Sequence, residues 1–243
     1  MTQASGRLAG RRVVVLGGTS GIGLATALAA AEEGAQVTVA SSRQSSVDAA
    51  LTRLPSDATG QALDLTDAAA VRAFFAGHGE FDHLAFTAGE PLSLTPIDTL
   101  DLDVARGFFT LRYFGAVGAV QAAAPHLRPG GSITLTSGTA GTRGGPGWAI
   151  ASSVCAAMEG LTRALAVELA PLRVNAVAPG VVRSPLWQNL SAEDREAMYA
   201  SGSALPAGRA GEPSDVAHAF VYFMTQPWAT GTVHLLDGGT VLV

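Results

Sequence analysis

A glycine-rich turn between a candidate strand and a candidate helix is the segment of this chain best suited to hold a phosphate group. Its sequence is Gly17-Gly18-Thr19-Ser20-Gly21-Ile22-Gly23, and it follows the apolar run at 12–16. Glycines there permit a tight turn and let backbone N–H groups approach a pyrophosphate at the positive end of a helix. A glycine-rich turn without a ligand is the alternative, and the motif alone does not decide between them.

A second candidate site follows the next predicted strand, where Ser41, Ser42 and Arg43 occur without a carboxylate. A carboxylate at that place binds the ribose hydroxyls of adenosine and repels a 2′-phosphate. Hydroxyl groups and a guanidinium, together with Ser20 of the glycine-rich turn, are suited to a phosphate instead. These residues favour NADP(H) over NAD(H) as a cofactor. The alternative for Arg43 is an ordinary solvated loop arginine.

The elements that must position these residues alternate along the whole chain. Apolar patterns predict strands at 12–16, 35–40, 61–63, 83–86, 132–136, 173–177 and 232–236, and helices at 24–33, 46–54, 66–76, 102–126, 149–169 and 215–224. Such alternation is typical of βαβ units with a parallel sheet covered by helices on both faces. We therefore expect α/β architecture: a single-domain, three-layer, doubly wound Rossmann-type fold over 1–243, preceded by a polar arm at 1–10.

Composition limits the partners of the chain. The formal charge is −5, the charges are mixed in sign, and all fifteen basic residues are arginines, so a nucleic acid is not an expected partner. Cys155 is the only cysteine and the five histidines lack ligand spacing, so no metal site is expected; we place the histidines at the surface or in loops. The first twelve residues are too polar for a signal peptide, and no run of roughly 20 apolar residues predicts a membrane span. These features predict a soluble, cytoplasmic protein.

Several further segments, in this order along the chain, carry a resemblance to one family: Asp64-Leu65, Thr87-Ala88-Gly89, RVNAVAPG at 173–180, Ser184-Pro185 and Asp237-Gly238-Gly239. Together with the G-x-x-x-G-x-G spacing of the turn, they resemble the short-chain dehydrogenase/reductase family from end to end. The resemblance implies a nicotinamide cofactor and a small-molecule substrate. The cofactor-binding residues it implies, with those argued above, are Gly17, Thr19, Ser20, Gly21, Ile22, Gly23, Ser41, Ser42, Arg43, Asp64, Leu65, Ala88, Gly89, Pro179, Gly180, Val182 and Ser184.

The same resemblance implies an Asn-Ser-Tyr-Lys tetrad, whose four positions hold other residues here. They are Arg112, Gly138, Ala151 and Cys155. In the family, the tyrosine gives a proton to the carbonyl oxygen as hydride arrives, and the lysine lowers the tyrosine pKa. Alanine has no proton to donate and a neutral thiol cannot replace the ammonium group. Carbonyl reduction by the family mechanism is therefore not expected, and the chain is predicted to be an atypical member.

Arg112 and Ser137 are the candidate catalytic residues in place of the tetrad. Arginine is too basic to donate a proton at neutral pH, but it could stabilise an oxyanion or bind an anionic group of a ligand. An arginine at the helix surface in an oligomer interface is the alternative. Ser137 could orient a substrate, while hydrogen bonding at a strand end is its alternative. Tyr199 lies in the expected substrate flap at 186–211 and could enter the site when the flap closes; packing within its helix is the alternative.

Two functions remain open at this point. One is an NADP(H)-dependent oxidoreductase with a non-standard mechanism, acting on a small carbonyl or alcohol compound, with an apolar one suggested by the tryptophans and leucines near the site. The other is a catalytically silent NADP(H)-binding sensor or partner subunit. Non-redox chemistry in the same site is a third hypothesis. The Ala/Gly faces of the helices at 111–124 and 156–169 predict a homo-oligomer, either a tetramer or a dimer.

Overall fold

The computed structural model describes residues 6–243, which form a seven-stranded parallel sheet with helices on both faces. The order of the strands is β3-β2-β1-β4-β5-β6-β7. Their bounds are Arg12–Leu16 (β1), Gln36–Ser41 (β2), Thr59–Ala62 (β3), Phe81–Phe86 (β4), Leu127–Thr136 (β5), Arg173–Pro179 (β6) and Val233–Leu236 (β7). β1 pairs with β2 on one side and with β4 on the other, and both pairs are parallel. The first three strands are therefore added towards one edge of the sheet, and β4 and the later strands towards the other edge. In this class of fold, ligands bind at this change of direction, beyond the carboxyl ends of the strands.

Eight α-helices cover the sheet within the described residues. They are α1 (Gly21–Glu32), α2 (Gln44–Leu51), α3 (Ala68–His78), α4 (Leu102–Phe109), α5 (Ala116–Ala123), α6 (Ala149–Glu168), α7 (Ala192–Ser201) and α8 (Pro213–Thr225). One core lies between the sheet and α3, α5 and α6, and includes Phe75, Ala119 and Met158. A second lies on the other face, where Leu24 of α1 and Phe220 of α8 pack. The predicted three-layer, single-domain Rossmann-type fold is confirmed.

The helix predicted at 102–126 has the predicted bounds, but it is not an α-helix throughout. A π-helical segment, Thr110–Gly115, separates α4 from α5, and a 3₁₀ turn, Ala124–His126, follows α5. Helical periodicity cannot separate these forms over so short a stretch, because a single wider turn shifts the apolar pattern by only one residue. The break matters because Arg112 lies inside the π-helical segment.

The amino-terminal residues that the structure describes are part of the fold and not a free polar arm. Leu8 is buried, and its N–H donates to the carbonyl oxygen of Glu33 at 2.9 Å. The Arg7 guanidinium lies 2.6 Å from the Glu33 carboxylate. One large apolar side chain in a short segment of arginine, glycine and alanine gives little periodic signal, so the burial of Leu8 was missed. The first half of the predicted arm, residues 1–5, lies outside the described residues.

The length and apolar character of α6 bear on the membrane expectation, and the predicted place of one histidine needs correction. α6 is 20 residues long with a mean hydropathy of 1.3, and by length and composition alone it is the one described helix that could cross a bilayer. Its Val154, Met158 and Ala166 pack in the core, which accounts for part of that apolar character. His83, predicted at the surface or in a loop, is buried on β4, where its Nδ1 lies 2.9 Å from the Oγ of Ser132.

Candidate functional site

The glycine-rich turn at the end of β1 is folded so closely against the end of β4 that side chains would not fit. A Cβ atom on Gly17 would lie 2.6 Å from the backbone nitrogen of Ala88, and the φ of Gly17 is +80°. A Cβ on Gly23 would collide with the Gly17 carbonyl and the Thr87 hydroxyl. Among the described residues, the backbone N–H groups of Gly21, Ile22 and Gly23 at the start of α1 make no backbone hydrogen bond, which is the arrangement that a phosphate-binding turn requires.

The segment after β6 approaches this turn from the opposite side. A Cβ on Gly21 would lie 3.2 Å from the Pro185 ring and 3.3 Å from the Cβ of Ser184. The structure thus brings the turn predicted to hold phosphate and the 179–184 segment predicted to border the nicotinamide to one edge of the sheet.

The residues predicted to face the adenosine half of a dinucleotide lie at the ends of β2 and β3. Ser42 and Arg43 are exposed, and Arg43 precedes α2 without a hydrogen bond or ion pair from its side chain within residues 6–243. Ser20 precedes α1, and its hydroxyl does not cap that helix. The carboxylate of Asp64 accepts hydrogen bonds from the N–H and hydroxyl of Thr66, which lower the pKa of Asp64.

A cavity of about 140 Å³ opens beside the start of α1, at the carboxyl ends of β4, β5 and β6. All four positions of the implied tetrad line it: Arg112, Gly138, Ala151 and Cys155. Ser137 and six predicted cofactor residues also line it, namely Ile22, Ala88, Pro179, Gly180, Val182 and Ser184. The other predicted cofactor residues, among them Gly17, Asp64 and Gly89, do not contribute to its walls.

Arg112 is largely buried in this wall, so the alternative of a helix-surface arginine is wrong for the described chain. Its Nη2 donates to the Glu90 carbonyl oxygen, and its Nε lies 3.4 Å from the Glu90 Oε2. The guanidinium carbon lies 4.4 Å from the centre of the Phe108 ring. Burial lowers the pKa of Arg112, while the negative charge of Glu90 raises it. Arginine nevertheless remains protonated in proteins, so a fixed positive charge faces the cavity.

The side chains of Ser137 and Cys155 are less available than their positions suggest. The Ser137 hydroxyl donates to the Cys155 carbonyl oxygen at 3.1 Å and lies 3.4 Å from the Glu159 carboxylate. Burial raises the pKa of the Cys155 thiol, so it is neutral near pH 7. A Cβ on Gly138 would lie 3.2 Å from the Cys155 sulfur. Both side chains are therefore engaged between the end of β5 and α6: the Ser137 hydroxyl hydrogen-bonds to α6, and the Cys155 sulfur packs beside Gly138.

The predicted flap contains a 3₁₀ turn, Pro185–Trp187, and helix α7. Trp187 lines the cavity and its indole N–H donates to the Val182 carbonyl oxygen at 3.0 Å. Tyr199 does not line the cavity; it packs in the same apolar cluster as Trp187, with the Arg183 guanidinium 4.4 Å from its ring centre.

Comparison with known proteins gives the chain a family. An SDR-like Rossmann domain matches residues 4–243. The chain belongs to the short-chain dehydrogenase/reductase family. A short-chain dehydrogenase/reductase, malC, of Malbranchea aurantiaca is 30% identical over 97% of this chain and 96% of its own. Known members of this family are oxidoreductases that act on small molecules, and this chain is an oxidoreductase-like member.

Two solved structures of short-chain dehydrogenases superpose closely on this fold. A small-chain dehydrogenase in complex with NADPH has a TM-score of 0.85 and is 37% identical, covering 96% of this chain and 99% of its own. The MalC reductase/Diels-Alderase of Malbranchea aurantiaca has a TM-score of 0.89 and is 30% identical, covering 99% and 100%. A nicotinamide cofactor is thus the ligand that a structural relative holds.

Sequence reasoning missed two residues that the structure places around Arg112. Glu90 and Phe108 both contact its guanidinium, from the loop after β4 and from α4. Glu90 directly follows the Thr87-Ala88-Gly89 motif, and Phe108 precedes Arg112 by four residues, the spacing of neighbours on a helix face. That spacing is the one signal by which Phe108 could have been found.

Proposed function

We propose that this protein is an NADP(H)-dependent oxidoreductase that acts on a small apolar carbonyl or alcohol compound without the tyrosine and lysine of its family. The observation that carries the proposal is the cavity, where the four tetrad positions and the Pro179-Gly180 segment meet beside the glycine-rich turn. The proposal includes the absence of the family's tyrosine and lysine, because their positions, Ala151 and Cys155, are assigned by aligning sequence motifs.

The residues present suit a dinucleotide with a 2′-phosphate. Gly17 and Gly23 let the turn pack against the end of β4, since a Cβ at either position would collide with protein atoms there. This close packing is the geometry that a pyrophosphate-binding turn at the start of α1 requires. Ser42 and Arg43 are exposed, and Arg43 has no partner among the described side chains, so its guanidinium is available to a phosphate. The cofactor would lie from there to Pro179 and Ser184, and when bound it supplies the hydride.

Arg112 is the residue we assign to the reacting oxygen. Its Nη1 group makes no hydrogen bond within residues 6–243, and its charge lies in an otherwise uncharged cavity wall. Negative charge that develops on a carbonyl oxygen during reduction would be stabilised by this donor. A guanidinium does not release its proton near pH 7, so the proton for the product oxygen would come from water.

We also propose that residues 186–211 cover the substrate. Trp187 and Leu186 of this segment line the cavity. Arg183 connects the segment to the body, because its guanidinium lies 3.3 Å from Glu196 on α7 and 3.6 Å from Glu212 before α8. Exclusion of bulk water by such a cover would strengthen the interaction between Arg112 and a substrate oxygen.

The proposal is tested by cofactor titration followed by transfer of deuterium. NADPH and NADH are titrated by fluorescence, and NADPH deuterated at either face of C4 is then incubated with aromatic aldehydes and ketones. We expect NADPH to bind more tightly and deuterium to appear in the alcohol product. Arg112→Met should lower kcat about 100-fold without changing cofactor affinity, whereas the exposed Arg106→Met on α4 should change neither.

Tight NADPH binding with no deuterium transfer to any of these compounds would contradict the oxidoreductase proposal and favour the silent sensor or partner subunit. One relative is named both a reductase and a Diels-Alderase, so a substrate consumed without loss of NADPH absorbance would point to non-redox chemistry in the same cavity. A failure of both cofactors to bind would contradict the proposed cofactor residues themselves.

A further inference from the structure

Glu90 forms a partly buried ion pair with Arg112 at the wall of the cavity. The Arg112 Nε lies 3.4 Å from the Glu90 Oε2, and the two side chains are 19% and 32% exposed. These two facing atoms are buried and have no hydrogen-bond partner in the described structure. Burial raises the pKa of Glu90, while the neighbouring Arg112 lowers it. The two charges are thus mainly compensated by each other and not by solvent.

Three neighbours hold the guanidinium in one place. The Phe108 ring lies against it, with 4.4 Å between the ring centre and the guanidinium carbon. Gly89 packs closely against it, since a Cβ there would lie 2.5 Å from Nη1 and 2.7 Å from the same carbon. Glu90 contributes both its carbonyl oxygen and its carboxylate. A guanidinium with so little room to move presents the same donors to every ligand.

The rest of the cavity wall is apolar and largely aromatic. Trp148 and Trp187 meet edge to face, with ring centres 6.3 Å apart at 64°. Arg112 is the one charged side chain among the described residues that line the cavity. The large apolar side chains of its wall are Phe86, Leu92, Phe108, Trp148, Leu186 and Trp187. A planar apolar body with one oxygen directed at Arg112 matches these walls.

We infer that Glu90 is a specificity-determining and positioning residue, whose carboxylate offsets the charge of Arg112 so that the cavity accepts neutral aromatic compounds bearing a carbonyl group and rejects aromatic carboxylates. This inference rests on the proposed function only in taking the cavity as the substrate site. A neutral carbonyl oxygen can accept from Arg112 without a second charge being buried. A carboxylate would lose its hydration and meet the like charge of Glu90 behind the guanidinium.

Removal of the Glu90 charge should reverse this preference. Arg112 would then be a buried cation without a counter-ion, and a carboxylate of the ligand could supply the compensating negative charge by accepting a charge-assisted hydrogen bond from the guanidinium. Glu90→Gln keeps the shape of the side chain, and Glu90→Ala removes it altogether. Both variants should therefore gain affinity for an aromatic anion while retaining the aromatic walls.

The experiment measures the dissociation constants of benzamide and benzoate by calorimetry, with and without saturating NADP⁺. These probes have the same ring and differ in charge, and neither needs to react. For the native protein we expect benzamide to bind about tenfold more tightly than benzoate. Glu90→Gln and Glu90→Ala should strengthen benzoate binding by about 10- to 100-fold, the change expected for one charged hydrogen-bonded contact, and change benzamide binding about threefold or less.

Three controls distinguish specificity from a general structural effect. Glu90→Asp keeps the charge and should retain the native preference. Glu80→Gln removes a carboxylate that lies 3.5 Å from Arg128, far from the cavity wall, and should change neither constant. Adding Arg112→Met to Glu90→Gln should abolish the gained benzoate affinity.

An unchanged preference in both neutral Glu90 variants would overturn the inference, as would native protein that binds benzoate more tightly. Binding of neither probe to any variant would also overturn it, by showing that the cavity does not hold an aromatic ring of this size. None of these outcomes depends on turnover. Failure of this inference is thus distinguishable from failure of the deuterium-transfer experiment.

Discussion

Arg112 illustrates at the residue scale how the surroundings of a group decide its chemistry. The guanidinium keeps its proton, so it contributes charge and direction but no acid. Among its neighbours in the wall, Ser137 already donates its hydrogen bond to the Cys155 carbonyl oxygen, and burial raises the pKa of the Cys155 thiol. The proposed site residues Arg112, Ser137 and Cys155 would therefore polarise and orient a substrate and would not protonate it.

A prediction at the same scale concerns Arg43 and the choice of cofactor. Arg43→Ala should weaken NADPH binding about 10- to 100-fold, because one charged contact to the 2′-phosphate is lost, and should leave NADH binding nearly unchanged. Fluorescence titration of both cofactors measures this. Arg53→Ala is the matched control, since Arg53 is exposed just beyond α2. Equal weakening of both cofactors would contradict the assignment of Arg43 to the 2′-phosphate.

At the scale of elements, the π-helical segment between α4 and α5 places Arg112 in the cavity wall. Wider helical turns of this kind occur often at functional sites, where they interrupt the regular hydrogen-bond ladder. Phe108 on α4 lies one turn before Arg112 and contacts it. The loop after β4 supplies Gly89 and Glu90 from another part of the chain. Two elements are therefore needed to hold one side chain.

The pairing of β4 with β5 leads to a prediction about pH. His83 of β4 is 4% exposed, and its burial lowers its pKa to about 4, from an ordinary value near 6.5. The folded protein then binds fewer protons than the unfolded chain between these two values, so stability should fall as pH drops from about 6.5 to about 4. The loss should approach about 3 kcal/mol.

Denaturant unfolding between pH 4 and 7.5 measures this effect. His83→Gln should give a flatter dependence on pH, since it removes the titrating ring and leaves an amide near the Ser132 hydroxyl. His218→Gln, which changes an exposed histidine on α8, should retain the native slope. A His83→Gln slope equal to that of the native protein would show that other groups govern the acid sensitivity.

At the scale of the whole molecule, apolar side chains remain exposed on the helices that we expect to form subunit contacts. Phe114 of the π-helical segment is 63% exposed and Val167 of α6 is 79% exposed. Their exposure in a single chain agrees with the expectation of a homo-oligomer, a tetramer or a dimer, which stays a prediction. Apolar residues on an exposed helix face often mark such interfaces.

The oligomer prediction is checked by light scattering on the eluting protein. We expect the native chain to elute as a tetramer or dimer, and Phe114→Glu together with Val167→Glu to reduce the assembly to a smaller species. Ile97→Glu, at an exposed position in the loop before α4, should leave the mass unchanged. A native protein that elutes as a monomer at micromolar concentration would contradict the prediction.

Much of the fold followed from local patterns. The bounds of β1 were predicted correctly at Arg12–Leu16, and α6 was misplaced by one residue at its end. The π-helical segment was missed because one wider turn shifts the apolar pattern by only one residue. The burial of His83 was missed because a histidine adds no apolar signal to its strand. The predicted arm was also wrong at Leu8, whose side chain packs in the second core and whose N–H donates to the carbonyl oxygen of Glu33, 25 residues away.

The sequence by itself determined the family and the parallel sheet, and it led to the prediction of the four tetrad positions. Both conclusions come from short stretches of sequence, because the spacing of apolar residues reports a helix or a strand and the spacing of glycines reports a tight turn. Only the tertiary structure decided that Arg112 is buried in the cavity wall and that Glu90 and Phe108 hold it there. The charge of Arg112 is compensated by the Glu90 carboxylate, which lies 22 residues earlier in the chain. Such a pair forms only where packing brings two distant elements together, and its strength depends on how far that packing excludes water.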